Sequence, residues 1–197
     1  CALPISVALP HSTFRDLGAD AVITAVVSRV QLPIMVKPTK GGSSLGASIV
    51  REAKDLASAL VAAFAYGDVA LVEHFVEGRE IAVSVIERNG EPTALPAVEV
   101  VPDGGFYNYT ARYTAGTTEF FAPARLEDTT SQAVAEAAVR AHRALGLRDL
   151  SRSDLIVDDA GVVWFLEVNV APGMTETSLF PLAVEDRKST RLNSSHV

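Results

Sequence analysis

The sequence predicts an α+β protein, on three observations. Ala53, Leu56, Ala57, Leu60, Val61 and Phe64 recur at the i, i+3, i+4, i+7 spacing of an amphipathic helix. Asn89-Gly90 separates two β-rich runs, 80–88 and 93–100, and suits the tight turn of an antiparallel hairpin. Val134, Ala137, Ala138, Ala141 and Leu145 mark a second helix, ahead of a further strand pair at 152–157 and 162–168. Helices mixed with antiparallel hairpins define the class.

Taken in order, 15–30 reads as a weakly specified helix, followed by a short strand at 33–37. The Gly/Ser-rich stretch KGGSSLG at 40–46 is a turn, because glycine and serine accept the backbone angles turns need. It leads into a strand at 47–50 and then the amphipathic helix. A strand at 69–73, a turn at Glu77-Gly78 and the hairpin come next. The stretch 100–122 has no regular period. The second helix ends near Gly146, and the last two strands are joined by 158–161.

Composition removes several functional classes. In 197 residues, 17 Lys and Arg stand against 24 Asp and Glu, a net charge of −7, which repels a phosphate backbone and makes nucleic acid an unexpected partner. The single cysteine, Cys1, allows neither an internal disulfide nor a cysteine zinc site. His11, His74, His142 and His196 are scattered. No apolar run approaches the ~20 residues that span a bilayer, and no signal peptide is evident, so membrane insertion is not expected and a cytoplasmic location is. The polar stretch from Asp186 to His196 departs abruptly from the apolar run before it and resembles a translated sequencing adapter, a natural polar tail being the alternative.

Three stretches could carry chemistry. In the Gly/Ser turn, backbone N–H groups could cradle phosphate oxygens. No Lys follows Gly46, so it is not a P-loop; with Lys37 ahead of it and a strand behind it, a hairpin flap over phosphates fits, and so does a plain turn. On the last two strands, residues two apart share a face, grouping Arg152 with Asp154 and Glu167 with Asn169. An even-length connection at 158–161 would bring Asp154 and Glu167 to one face. Carboxylate and amide oxygens of this kind are Mg²⁺ ligands, and Arg152 could hold an anion; a solvated face opposite a core of Leu155, Val157, Val163 and Phe165 is the other reading. In the following loop, Gly173 could offer its N–H to an oxyanion and Ser178 could bind a small polar substrate.

Together and in order, VKPTKGGSSLG at 36–46, VEHFVEGRE at 72–80, YNYTARY at 107–113, SRSD at 151–154, LEVNVAPGMT at 166–175 and SLFP at 178–181 resemble the D-alanine–D-alanine ligase family of the ATP-grasp superfamily. The resemblance covers about 1–184. It implies an ATP-grasp fold in which two α+β subdomains clamp ATP between antiparallel sheets: part of a central subdomain at 1–75, a C-terminal subdomain at 76–184 and a polar tail at 185–197. It further implies an ATP-dependent ligase for D-alanine and peptidoglycan synthesis, and a homodimer in the full-length parent. The resemblance assigns Lys37 to the α/β phosphates and Ser43 and Ser44 to the flap. Glu73, His74 and Val76 fall at the adenine edge, and Glu80 at the ribose. Asp154, Glu167 and Asn169 would hold two Mg²⁺, with Mn²⁺ as an alternative, and Arg152 and the Gly173 N–H would stabilise the tetrahedral intermediate. Ser178 and Leu179 would engage the second alanine.

Two positions depart from the family. Arg112 stands where Lys is usual, near the γ-phosphate, and His74 replaces a common Lys. Tyr113 argues against a D-alanine–D-lactate-type ligase, the nearest enzyme alternative. The family's N-terminal domain lies outside this sequence, so an inert Mg-ATP-binding fragment is the alternative of a different class.

Overall fold

The computed structural model describes residues 1–42, 44–103, 117–175 and 178–194. They form two compact units, one built on Pro4–Val76, the other on Cys1–Leu3, Glu77–Pro102 and the residues from Thr118 onward. The α+β expectation holds: every strand pairing within the two sheets is antiparallel among the described residues.

The first unit begins with β1 (Ser6–Pro10), α1 (His11–Leu17) and α2 (Ala19–Val27). The sequence predicts one helix over 15–30, and the structure divides it at Gly18, whose φ of 79° and ψ of 160° lie outside helical space and are open to glycine. Next come β2 (Ile34–Pro38), β3 (Ser48–Val50), α3 (Leu56–Phe64) and β4 (Val69–His74). The sheet order is β1-β4-β2-β3. The predicted amphipathic helix opens with a 3₁₀ turn at Ala53–Asp55, and the face it buries is Leu56, Ala59, Leu60 and Ala63, while Val61 points to solvent. Two alanines take the close packing positions that larger residues suggest from sequence. They meet Val22, Val26, Ile34, Val36 and Val72 in one core.

The second unit holds β5 (Arg79–Arg88), β6 (Glu91–Ala94), β7 (Val98–Pro102), β8 (Thr118–Phe121), α4 (Asp128–Ala144), β9 (Leu150–Val157), β10 (Val163–Asn169) and α5 (Leu179–Ser194). Its sheet runs β10-β9-β5-β7-β8, with β6 also on β5. Asn89 and Gly90 both have positive φ, as the predicted tight turn requires. The single return strand predicted at 93–100 is two strands. Pro96, without an N–H to donate, lies between β6, paired to the far end of β5, and β7, paired to its start. β8 falls in the stretch without period and pairs with β7. α4 packs Val134, Ala137 and Ala138 against Ile81, Val83, Val85, Leu155 and Val157. The predicted apolar Leu145 is exposed, and the fourth buried position of α4 is His142.

α5 contacts β5 and β7 and buries Leu179, Phe180 and Ala183. Pro181 sits in its first turn, where a missing N–H costs no helical bond. The helix runs on to Ser194, so the backbone at 185–194 is helical where the sequence suggests a polar tail. No helix among the described residues is long and apolar enough to cross a membrane.

Candidate functional site

The hairpin of β9 and β10 carries the polar cluster. Asp158 builds its turn: Oδ1 accepts the N–H groups of Ala160 (3.0 Å) and Val162 (2.8 Å), and Oδ2 accepts the Trp164 indole N–H at 2.8 Å. The indole bond, followed by the Val162 N–H, holds this carboxyl below the usual aspartate range. Trp164 therefore ties down the turn.

The register corrects the spacing argument. Val157 pairs with Val163, so the connection is 158–162, odd in length, and an unbroken ladder would turn Glu167 away from Asp154. A bulge between Phe165 and Glu167 inserts Leu166 as an extra residue, and beyond it Asp154 lies directly opposite Glu167 and Arg152 opposite Asn169. The expected grouping forms, but through a bulge.

Arg152, Asp154, Glu167 and Asn169 thus occupy the sheet face away from α4, since Leu155 and Val157 enter the α4 core and Ser151 bonds to it. On β5 the same face presents Ala82 opposite Asp154, Ser84 opposite Arg152 and Glu80 opposite Ile156. Arg152 grips Asp154 with a fork, Nε to Oδ1 at 2.7 Å and Nη2 to Oδ2 at 2.8 Å, and both residues are buried. Asn169 Oδ1 accepts the Ala171 N–H at 2.9 Å, and Glu167 is exposed.

The loop after β10 folds onto the start of α5. Ser178 Oγ lies 2.8 Å from Thr175 Oγ1 and accepts the Thr175 N–H at 3.2 Å. A Cβ on Gly173 would stand 2.8 Å from that oxygen, so a larger residue here would oblige the Ser178 hydroxyl to shift. The hydroxyl assigned from sequence to a substrate is engaged within the loop, the Leu179 side chain is buried, and Met174 is exposed.

In the first unit, β2 and β3 form the predicted hairpin with the Gly/Ser turn between them. Ser44 has a φ of 57° and its carbonyl accepts the Ala47 N–H at 3.2 Å. Lys37 on β2 and Glu73 on β4 share a face and form an ion pair at 2.6 Å, with Glu73 buried. His74 Nδ1 lies 3.4 Å from the Gln31 carbonyl, and Val76, after β4, is half-buried. Ser43, Arg112 and Tyr113 lie outside the described residues.

Among the described residues no three His, Cys, Asp or Glu side chains gather as a metal centre. The donor set on the β9–β10 face is two opposed carboxylates with an amide, all hard oxygen ligands, and it fits Mg²⁺ of the kind that takes its remaining ligands from water and phosphate. Sequence reasoning missed two buried polar contacts. His142 joins Ser151 Oγ (2.8 Å) to Glu87 Oε2 (3.3 Å). Glu99 accepts the Arg125 fork, Nε at 2.9 Å and Nη2 at 3.0 Å, along with the Arg125 backbone N–H at 3.1 Å. Each contact joins residues of different elements, so no local signal reveals it.

A family model described as "D-ala D-ala ligase C-terminus" matches residues 8–189. The chain is 46% identical over 151 residues to a D-alanine–D-alanine ligase of Syntrophotalea carbinolica, covering 77% of this chain and 48% of the relative. It is 43% identical over 164 residues to one from Fervidobacterium nodosum, covering 83% and 52%. Among solved structures it is similar to the VanG D-Ala:D-Ser ligase of Enterococcus faecalis (TM-score 0.80, 29% identity, 94% of this chain and 52% of that one). It is also similar to a D-alanyl-alanine synthetase A of Vibrio cholerae (TM-score 0.77, 31% identity, 93% and 55%). The chain spans about half the length of the curated relatives it matches.

Proposed function

The chain belongs to the D-alanine–D-alanine ligase C-terminal family, and from that membership we propose that it is the nucleotide- and metal-binding part of an ATP-dependent ligase that joins two D-alanines for peptidoglycan synthesis in the cytoplasm. The observation that carries the reading is the bulged β9–β10 register, which sets Asp154 against Glu167 with Arg152 and Asn169 on the same face.

A carboxylate is a poor acyl donor because its leaving group would be oxide. Transfer of the γ-phosphoryl group of ATP to one D-alanine carboxylate oxygen converts that oxygen into a phosphate leaving group. The amine of a second D-alanine then attacks the carbonyl carbon, and phosphate departs. In this scheme Lys37 contacts the α/β phosphates and Ser43, Ser44 and Arg112 contribute to the triphosphate site. Glu73, His74 and Val76 line the adenine and Glu80 takes the ribose hydroxyls. Asp154, Glu167 and Asn169 hold the divalent cations, Mg²⁺ or Mn²⁺, whose charge offsets that of the phosphates during transfer. Arg152 and the Gly173 N–H meet the negative oxygen that develops on the attacked carbon. Tyr113, Ser178 and Leu179 belong to the amino-acid side of the site, and the full-length parent is a homodimer.

Release of phosphate from ATP by the full-length parent should depend on D-alanine, with D-alanyl-D-alanine as product. Release only when D-lactate is the co-substrate would overturn the dipeptide assignment; the curated relatives, named D-alanine–D-alanine ligases, favour the dipeptide. The 197-residue chain should bind Mg-ATP without forming dipeptide.

A further inference from the structure

The Gly/Ser turn between β2 and β3 is held at both ends by one short segment, where α3 gives way to β4. On the entry side, Thr39 donates its N–H (3.1 Å) and its hydroxyl (3.2 Å) to the Val69 carbonyl. On the exit side, the Tyr66 ring lies against Gly46: a Cβ there would stand 2.6 Å from Tyr66 Cδ2, 3.2 Å from Cε2 and 3.4 Å from Pro38 Cδ. Glycine at 46 thus brings the ring, the turn and the last residue of β2 into one contact. The holding segment is itself fixed. The Tyr66 N–H donates to the Ala63 carbonyl at 3.0 Å, the Asp68 carbonyl accepts the His11 N–H at 2.8 Å, and the His11 ring stacks on Phe64 at 4.6 Å. Tyr66 is nevertheless 53% exposed and outside the core of its unit, so a change at its ring costs the fold little.

We propose that Tyr66 is a positioning residue for phosphate binding: its ring, with the Thr39–Val69 contact opposite, fixes the root of the Gly/Ser turn and so sets where the turn's backbone N–H groups stand. This rests on the assignment of the turn to the triphosphate site made above. A glycine-rich turn has many backbone arrangements of similar energy, and only those that present N–H groups together bind phosphate. Tethering both ends removes many of the others, so nucleotide meets a turn already ordered. Releasing one end makes the competent arrangement a smaller fraction of the whole, and the apparent affinity falls by that fraction. The hydroxyl of Tyr66 has no part in this; the ring does the holding.

The test is calorimetric titration of Mg-ATP into the chain itself as wild type, Y66A, Y66F, a chain lacking residues 41–45, and that shortened chain carrying Y66A. Y66A should weaken Mg-ATP about three- to tenfold, and Y66F, which keeps the ring, should stay within about twofold of wild type. Removing 41–45 takes away what Tyr66 positions, so the shortened chain should bind more weakly than wild type and Y66A should add nothing further to it. That last comparison separates positioning from damage to the fold, which would weaken binding equally in both backgrounds. An equal loss in both therefore overturns the proposal. So does Y66F binding as weakly as Y66A, which would assign the effect to the hydroxyl. Y66A binding as tightly as wild type while the shortened chain is weakened defeats the positioning role and leaves the turn at the triphosphate. Mg-ATP bound by the shortened chain as tightly as by wild type, or bound by none of these chains, defeats that assignment and the proposal together.

Discussion

Replacing Arg125 with Ala tests how the second unit is closed around α4. Glu99 lies on the α4 side of β7, its side chain only 5% exposed, and Arg125 supplies two of its three bonds from the side chain. The same guanidinium lies 3.6 Å over the Phe121 ring. Arg125 is itself 56% exposed, so what its removal costs is the Glu99 carboxylate left buried with a single backbone donor. A buried acceptor left short of its partners costs about 1–3 kcal/mol, and we expect R125A to lose stability of that order at neutral pH. The Arg125 side chain also holds the Glu99 carboxyl below its ordinary value of 4.5. A depressed folded value means this stability is fully present above the unfolded value and is lost as pH falls through the folded one. The gap between wild type and R125A should therefore shrink in acid. Urea unfolding followed by the fluorescence of Trp164, the only tryptophan and a residue of the same unit, measures this directly. A cost under about 0.5 kcal/mol at neutral pH, or an equal cost well below pH 4.5, would refute the reasoning.

Two further outcomes follow from the site and its neighbours. Glu167→Gln should lower Mn²⁺ affinity at least tenfold while changing stability by less than about 1 kcal/mol, because Glu167 is exposed; a metal titration beside a thermal melt checks it. Gly78→Ala would set a Cβ 2.4 Å from the Val157 carbonyl oxygen, a backbone atom that no rotamer change can move, and should destabilise the second unit by about 1–3 kcal/mol or more. Gly67→Ala meets nothing within 4 Å and is the control in the same urea assay.

Much of this was legible in the sequence where the determinants are local. Asn89-Gly90 gave the hairpin because two positive φ angles in succession need such residues. Arg152, Asp154, Glu167 and Asn169 could be grouped because side chains two apart on a strand share a face. The means by which they meet was not legible: Leu166 looks like any strand residue, and only the partner strand shows that it is unpaired. Gly18 was visible as a residue, but not its φ, so two helices read as one. β1 and β8 owe their extended form to β4 and β7, distant in the chain, and carry little periodicity of their own. His142 escaped because its partners, Ser151 and Glu87, come from different strands.

The first residues of the chain have a consequence for how molecules meet one another. Ala2 runs parallel to β10, giving its N–H to the Val163 carbonyl at 2.8 Å and taking the Phe165 N–H at 2.9 Å. β10 is the outermost strand of its sheet, the kind of rim that recruits strands from other chains. Cys1–Leu3 thus acts as a short seam along the apolar half of that rim, and the irregularity at Leu166 roughens the half bearing the acidic groups. Trimming the seam would lay bare a donor and an acceptor ready for intermolecular pairing, so self-association should rise although every residue of the proposed cation site is untouched.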